Sequence, residues 1–155
     1  MRKHNFFGIV WIMISLVLFM NCFAGCGKNP YKEKSKRLIK PAEELSIDFT
    51  CKHVKERIYE IVLNNQSDVA IEFESYELEF EYEGEWFTVP RDKAELGTGE
   101  LILAANESVH EYDLSDCYSS LSKGKYRIVQ RISVYESNDA YGEAEPYYIA
   151  CEFEI

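Results

Sequence analysis

From Glu43 to the last residue, apolar and polar side chains alternate with a period of two, and that regularity excludes most folds. Successive side chains of an extended strand point to opposite faces, so the period marks half-buried strands; an amphipathic helix would repeat near 3.6. In LSIDFTC (45–51) Leu45, Ile47, Phe49 and Cys51 alternate with Ser46, Asp48 and Thr50. RIYEIVLNN (57–65) sets Tyr59, Ile61 and Leu63 against Ile58, Glu60 and Val62, and NNQSD ends it as a turn. In KYRIVQRISVYES (125–137) Tyr126, Ile128, Ile132 and Val134 share one face, so Gln130 either meets a polar partner or marks a less buried place. YYIACEFEI (147–155) closes the chain in the same rhythm, after the polar loop NDAYGEAEP. Seven to nine strands joined by short turns, with no helical period, imply an all-β, antiparallel β-sandwich.

The stretch IEFESYELEFEYEGEW (71–86) carries seven glutamates. Its apolar residues sit at odd positions in Ile71 and Phe73 and at even positions in Tyr76, Leu78, Phe80 and Tyr82. A phase slip of one residue is what a β-bulge accomplishes, so a bulge is expected at Glu74 and Ser75. Glu83-Gly84 makes the next turn, with WFTVP as the hairpin partner. Glu77, Glu79, Glu81 and Glu83 stand nearly 7 Å apart along one strand and do not converge as a calcium site requires. They read as a solvated face whose neighbours repel by about 0.6 kcal/mol per pair, a repulsion that salt would relieve.

The first thirty residues have the order of an export signal: Arg2, Lys3 and His4, an apolar run from Phe6 to Met20, then small residues. Phe23-Ala24-Gly25-Cys26 resembles a bacterial lipobox, in which Cys26 would carry the lipid; Phe23 stands where that pattern prefers leucine. A retained transmembrane anchor and ordinary secretion are the alternatives, and all three place the domain outside the cytoplasm. The expected division is a signal over 1–25, a basic flexible linker over 26–42 and the sandwich over 43–155. Residues 1–41 carry eight Lys or Arg and one acid, net +7; residues 42–155 carry nine bases and 26 acids, net −17. An acidic domain on a basic tether repels nucleic acid, while the tether's lysines suit anionic lipid head groups.

LSKGKYRI (121–128) matches the Leu-x-x-Gly-x-Tyr corner of many sandwiches, and it comes after YELEFEYEGEWFTVP and LAANESVHEYDLS in the chain. With NNQSDVAI, these motifs make the span from about 45 to 155 resemble a bacterial immunoglobulin-like domain family commonly found on exported lipoproteins, generally with no assigned activity. The resemblance implies a structural corner of Leu121, Gly124 and Tyr126. Ala105-Asn106 replaces the family's Pro-Gly turn, with Asn tolerating the same conformations, and Lys123 replaces its corner proline.

Little chemistry stands out. Cys22 belongs to the signal and Cys26 is the expected lipid attachment point, leaving Cys51, Cys117 and Cys151. Cys51 and Cys151, in the first and last strands, form a candidate disulfide; buried free thiols are the alternative. Asp139, Glu143 and Glu145, in a loop with Glu136 and Asn138, are weak metal candidates without the spacing of a calcium loop. Ser108, His110 and Asp113 lie close in sequence, but a triad is defined by geometry. No catalytic residue and no cofactor are expected, since no nucleophile elbow or phosphate loop occurs. The expected function is a non-catalytic binding module, held at the membrane by a lipid anchor on the extracytoplasmic face, with a protein or glycan partner. A structural envelope lipoprotein docking on a larger exported assembly is the alternative, and a cell-wall glycan enzyme a remote one.

Overall fold

The computed structural model describes residues 28–93, 99–136 and 144–155. Among these, eight strands carry the fold: β1 (Ile47–Lys55), β2 (Ile58–Asn65), β3 (Ile71–Tyr82), β4 (Glu85–Thr88), β5 (Glu100–Ile102), β6 (Glu107–Asp113), β7 (Lys125–Tyr135) and β8 (Ala144–Glu154). The only helical elements described are single 3-10 turns, Ala42–Leu45 and Leu114–Asp116. The strands form two antiparallel sheets, β1-β2-β6 and β4-β3-β7-β8, with β5 paired to the other end of β3. β8 begins at Ala144, earlier than the sequence places it, and includes Pro146; an edge strand tolerates a residue that lacks an N–H.

Period two in the sequence becomes two faces in space. On β2, Tyr59, Ile61, Leu63 and Asn65 are buried while their neighbours are half-exposed. Ile71, Leu78, Ile128, Ile132 and Ile149 meet them from the larger sheet, each fully buried. The phase slip in β3 is a break in register against β7 between Phe73 and Tyr76, which restores apolar residues to the core side of both halves. Gln130, 1% exposed, donates from Nε2 to the carbonyl of Glu74, so the buried polar residue satisfies the bulge. The β3–β4 hairpin turns through Glu83 and Gly84, at φ +54° and +81°, the two positive angles of a tight hairpin. At the turn before β6 the left-handed residue is Ala105, at φ +56°, and Asn106 is not among the positive-φ residues; the motif's turn is kept with the strain on an alanine.

Candidate functional site

Residues 33–40, where the sequence suggests a flexible linker, are built into the large sheet. Ser35 donates its amide to the Trp86 carbonyl and Thr88 donates to the Glu33 carbonyl, both at 2.8 Å, extending the edge at β4. Further on, Ile39 bridges in parallel to Tyr148 of β8, and the Lys40 amide donates to the Tyr148 carbonyl at 2.8 Å. The segment therefore runs as a strap from β4 to β8. Its side chains alternate: Lys34, Lys36 and Leu38 are exposed, whereas Ser35, Arg37 and Ile39 are half-buried. Upstream, the ring of Tyr31 stands edge-on to Phe80, 5.3 Å between centroids.

The inward residues of the strap change the standing of the glutamates. Glu79 is not solvated; it is 0% exposed. Its carboxylate accepts from Arg127 Nε at 2.7 Å, Arg127 Nη2 at 2.5 Å, Ser35 Oγ at 2.5 Å and Arg37 Nη1 at 3.2 Å. Arg37 also pairs with Glu77, and Arg131 holds Glu74 at 2.5 Å. Glu81 bonds the Gly84 amide and remains half-exposed, and Glu83 is exposed at the turn. The Arg127 guanidinium lies over Trp86, 4.3 Å from the ring centroid. The expected repulsion along the row is thus replaced, at Glu77 and Glu79, by attraction to two guanidiniums; at Glu79, which is out of water, the pairing is least screened, whereas Glu77 stays partly exposed.

Beside the strap lies an open groove of about 620 Å³, bordered by Lys34, Lys36, Arg37, Leu38, Tyr147 and Tyr148. That volume is in the range of small-ligand clefts, though the walls are more charged than most. Lys40 sits over the Tyr147 ring at 4.4 Å and Arg37 over Tyr148 at 5.6 Å. Leu38, at 89% exposure, is the most exposed large hydrophobic residue described.

At the entry to β7, Tyr126 Oη donates to the Ser122 carbonyl at 2.7 Å, Leu121 packs on the core, and Gly124 exchanges two backbone bonds with Ile155. Gly124 has φ +152°, and a Cβ there would lie 2.5 Å from the Phe80 ring. Together with the two-sheet architecture, a match of residues 41–146 to the family model of a bacterial Ig-like domain decides the classification. The chain belongs to the bacterial Ig-like domain family. No curated protein and no solved structure matches it.

The remaining candidates of the Ig-like domain stand apart from the strap. Ser108 Oγ is 2.7 Å from His110 Nε2, and that same nitrogen is 2.9 Å from Glu100 Oε2. Ser108 also donates to Glu100 at 2.7 Å. A catalytic histidine uses one nitrogen for the nucleophile and the other for the acid, so this cluster is a local pairing of β5 with β6 and not a proton relay. Asp113 lies elsewhere, capping the turn at Leu114 by accepting from the Ser115 amide and hydroxyl, bonds that hold its carboxyl below the ordinary aspartate value. Glu100 was missed in the sequence because its position beside Ser108 depends on how β5 folds back.

Cys51, Cys117 and Cys151 are free thiols, the last two buried. The Cys51 and Cys151 thiols share a hydrogen bond, which lowers the pKa of Cys51 and, with burial, raises that of Cys151. Cys51 Sγ also approaches the Glu152 carbonyl at 3.5 Å. Among the metal candidates, Glu145 lies on β8 and accepts from Tyr147 Oη, while Asp139 and Glu143 lie outside the described residues, as do Cys26 and the proposed signal. Among the described residues no three His, Cys, Asp or Glu side chains are grouped to hold a metal, and no helix is long and apolar enough to cross a membrane.

Proposed function

We propose that this chain is an exported, membrane-tethered interaction module, non-catalytic, in which the Ig-like sandwich presents a surface to a protein partner. The tether reading rests on the basic start, the apolar run and the lipobox-like Phe23-Ala24-Gly25-Cys26. The observation that carries the module reading is the asymmetry of the sandwich. The outer face of the large sheet is occupied by the strap and its ion pairs, whereas β6 at the rim of the small sheet pairs with β2 and with no other described strand. An edge strand is the position at which a partner's strand can be added to a sheet. On its outward face Val109 is 52% exposed and stands in register with Val62 and Thr50, a short row of β-branched side chains, two of them valines, that favours a protein over a glycan.

A photo-crosslinking residue at Val109, introduced into the full chain on intact cells, tests this reading. A discrete protein adduct from position 109, absent from the same probe at Glu83 on the β3–β4 turn, is the expected result. Equal labelling from both positions, or none from 109, would contradict it, and turnover of cell-wall glycan that survives Ser108→Ala but not another single substitution would replace it with an enzyme.

A further inference from the structure

The strap also has an outer side, and nothing in the sandwich covers it. Lys34 is paired to Glu85 at 2.6 Å and Arg37 is turned inward to Glu77 and Glu79. Lys32 and Lys36 are exposed and form no ion pair among the described residues, Lys40 rests on the Tyr147 ring, and Leu38 projects between Lys36 and Lys40. Because the strap is bonded to β4 and β8, these groups are fixed on one side of the domain.

We propose that this outer side of the strap docks on an anionic phospholipid surface, Lys32, Lys36 and Lys40 facing the head groups and Leu38 entering between them. The proposal rests on the tether reading above and adds an orientation to it. Three arguments select a bilayer as the occupant. The first is charge: residues 42–155 are net −17 and are repelled by anionic lipid, so the basic strap is the side that can approach. The second is reach. The described chain begins at Lys28, just after Cys26 and the apolar run, and six residues from Cys26 to Lys32 span at most about 20 Å. So short a tether keeps the strap able to touch the surface, and only on contact, within a screening length of about 8 Å, do its lysines feel the surface charge. The third is the exposed leucine among lysines, the composition of a shallow interfacial contact and a poor one for a small soluble anion. Each lysine near an anionic surface favours the docked orientation by about fivefold, and the three together by about a hundredfold.

The test uses the full chain, returned from detergent to vesicles of phosphatidylcholine alone or with phosphatidylglycerol added, and carrying Leu38→Trp. Bromine on the acyl chains quenches a nearby tryptophan, and the signal is read as the difference from the unsubstituted chain, which subtracts Trp86 and, where the N-terminal segment is retained, Trp11. Flotation with phosphatidylcholine vesicles reads the tether; extra quenching on phosphatidylglycerol vesicles reads the docking. The proposal expects quenching that needs phosphatidylglycerol, fades with added salt, and is lost in Lys32→Glu/Lys36→Glu/Lys40→Glu. Flotation without such quenching would overturn the docking and leave the tether standing. Salt-sensitive quenching with phosphatidylglycerol, in a chain that fails to float with phosphatidylcholine, would support docking and overturn the tether. Quenching that is equal on both lipids and indifferent to salt would overturn the role of the lysines. The salt dependence of the unsubstituted charges keeps the proposal testable should the triple variant misfold.

Discussion

Replacing Arg37 by methionine isolates the attachment of the strap, because the substitution keeps the apolar stem and removes the guanidinium. Two ion pairs are lost, a 3.2 Å bond from Nη1 to buried Glu79 and the pair with Glu77, and with them the 5.6 Å approach to the Tyr148 ring, which lies at the outer limit of a cation–π contact. Glu77 is 40% exposed, so its pair is discounted for screening. Glu79 keeps the fork of Arg127, at 2.7 and 2.5 Å, and is not orphaned. The expected cost is therefore about 1–2 kcal/mol, the worth of one long bond to a charge plus a screened pair. Arg127→Met removes both short bonds and leaves a fully buried carboxylate with Ser35 and a long contact, at a cost of about 3–5 kcal/mol. Urea unfolding of residues 28–155, followed by the fluorescence of Trp86, measures both; with a slope of about 2 kcal/mol/M, Arg37→Met moves the midpoint down by about 0.5–1 M. The cycle with Glu79→Gln should show coupling above about 0.5 kcal/mol. An Arg37→Met midpoint unchanged from the parent, with no coupling to Glu79, would refute the reasoning, as would a cost equal to that of Arg127→Met.

Gly124→Ala is expected to destabilise by about 2–4 kcal/mol in the same assay, since it meets the Phe80 ring at 2.5 Å and holds φ +152°, whereas Gly84→Ala, with nothing within 4 Å, costs about 1 kcal/mol from φ +81° alone; equal effects would be contrary. Tyr59, Tyr118 and Tyr126 are raised above the ordinary phenol value of 10.0, chiefly by burial. The folded state holds their protons more tightly than the unfolded state, so their contribution is intact below pH 10 and is lost as the pH climbs toward the raised values. Unfolding midpoints should therefore fall increasingly steeply above that pH, and less so in Tyr126→Phe. Exposure to mild oxidant should join Cys51 to Cys151 and spare Cys117, raising stability by up to about 4.7 kcal/mol in the chain-entropy model for a loop of about 100 residues. Peptide mapping that pairs Cys117, or finds all three thiols still alkylatable, would exclude that bridge.

How much could be read from the residues differs between elements for physical reasons. The sandwich, the bulge at Glu74 and Ser75 and the hairpin at Glu83-Gly84 were legible because each is written in a local pattern: period, phase slip and turn chemistry. The fate of Glu79 was not, since on the strand it is indistinguishable from Glu77 or Glu81 and its burial depends on Ser35 and Arg37, more than forty residues upstream. The strap does carry a faint signature. In KSKRLIK, Ser35, Arg37 and Ile39 alternate with Lys34, Lys36 and Leu38, and the one arginine among lysines is the residue that reaches two carboxylates with a planar fork. Seven residues of alternation dominated by lysine carry too little apolar weight to be told from a solvated spacer. Ala105 shows the opposite case: the motif's turn was recognised, but which residue bears the left-handed angle is settled by packing around the turn.

Amide hydrogen exchange at Ser35 and Lys40 bears most directly on the strap as part of the fold. Each amide donates to a sheet carbonyl at 2.8 Å, from Ser35 to Trp86 and from Lys40 to Tyr148. Both should exchange far more slowly than an unstructured chain and accelerate in Arg37→Met. Exchange at the free-chain rate in the parent would mean that a loose tether precedes the sandwich and that Glu79 is left to Arg127 alone.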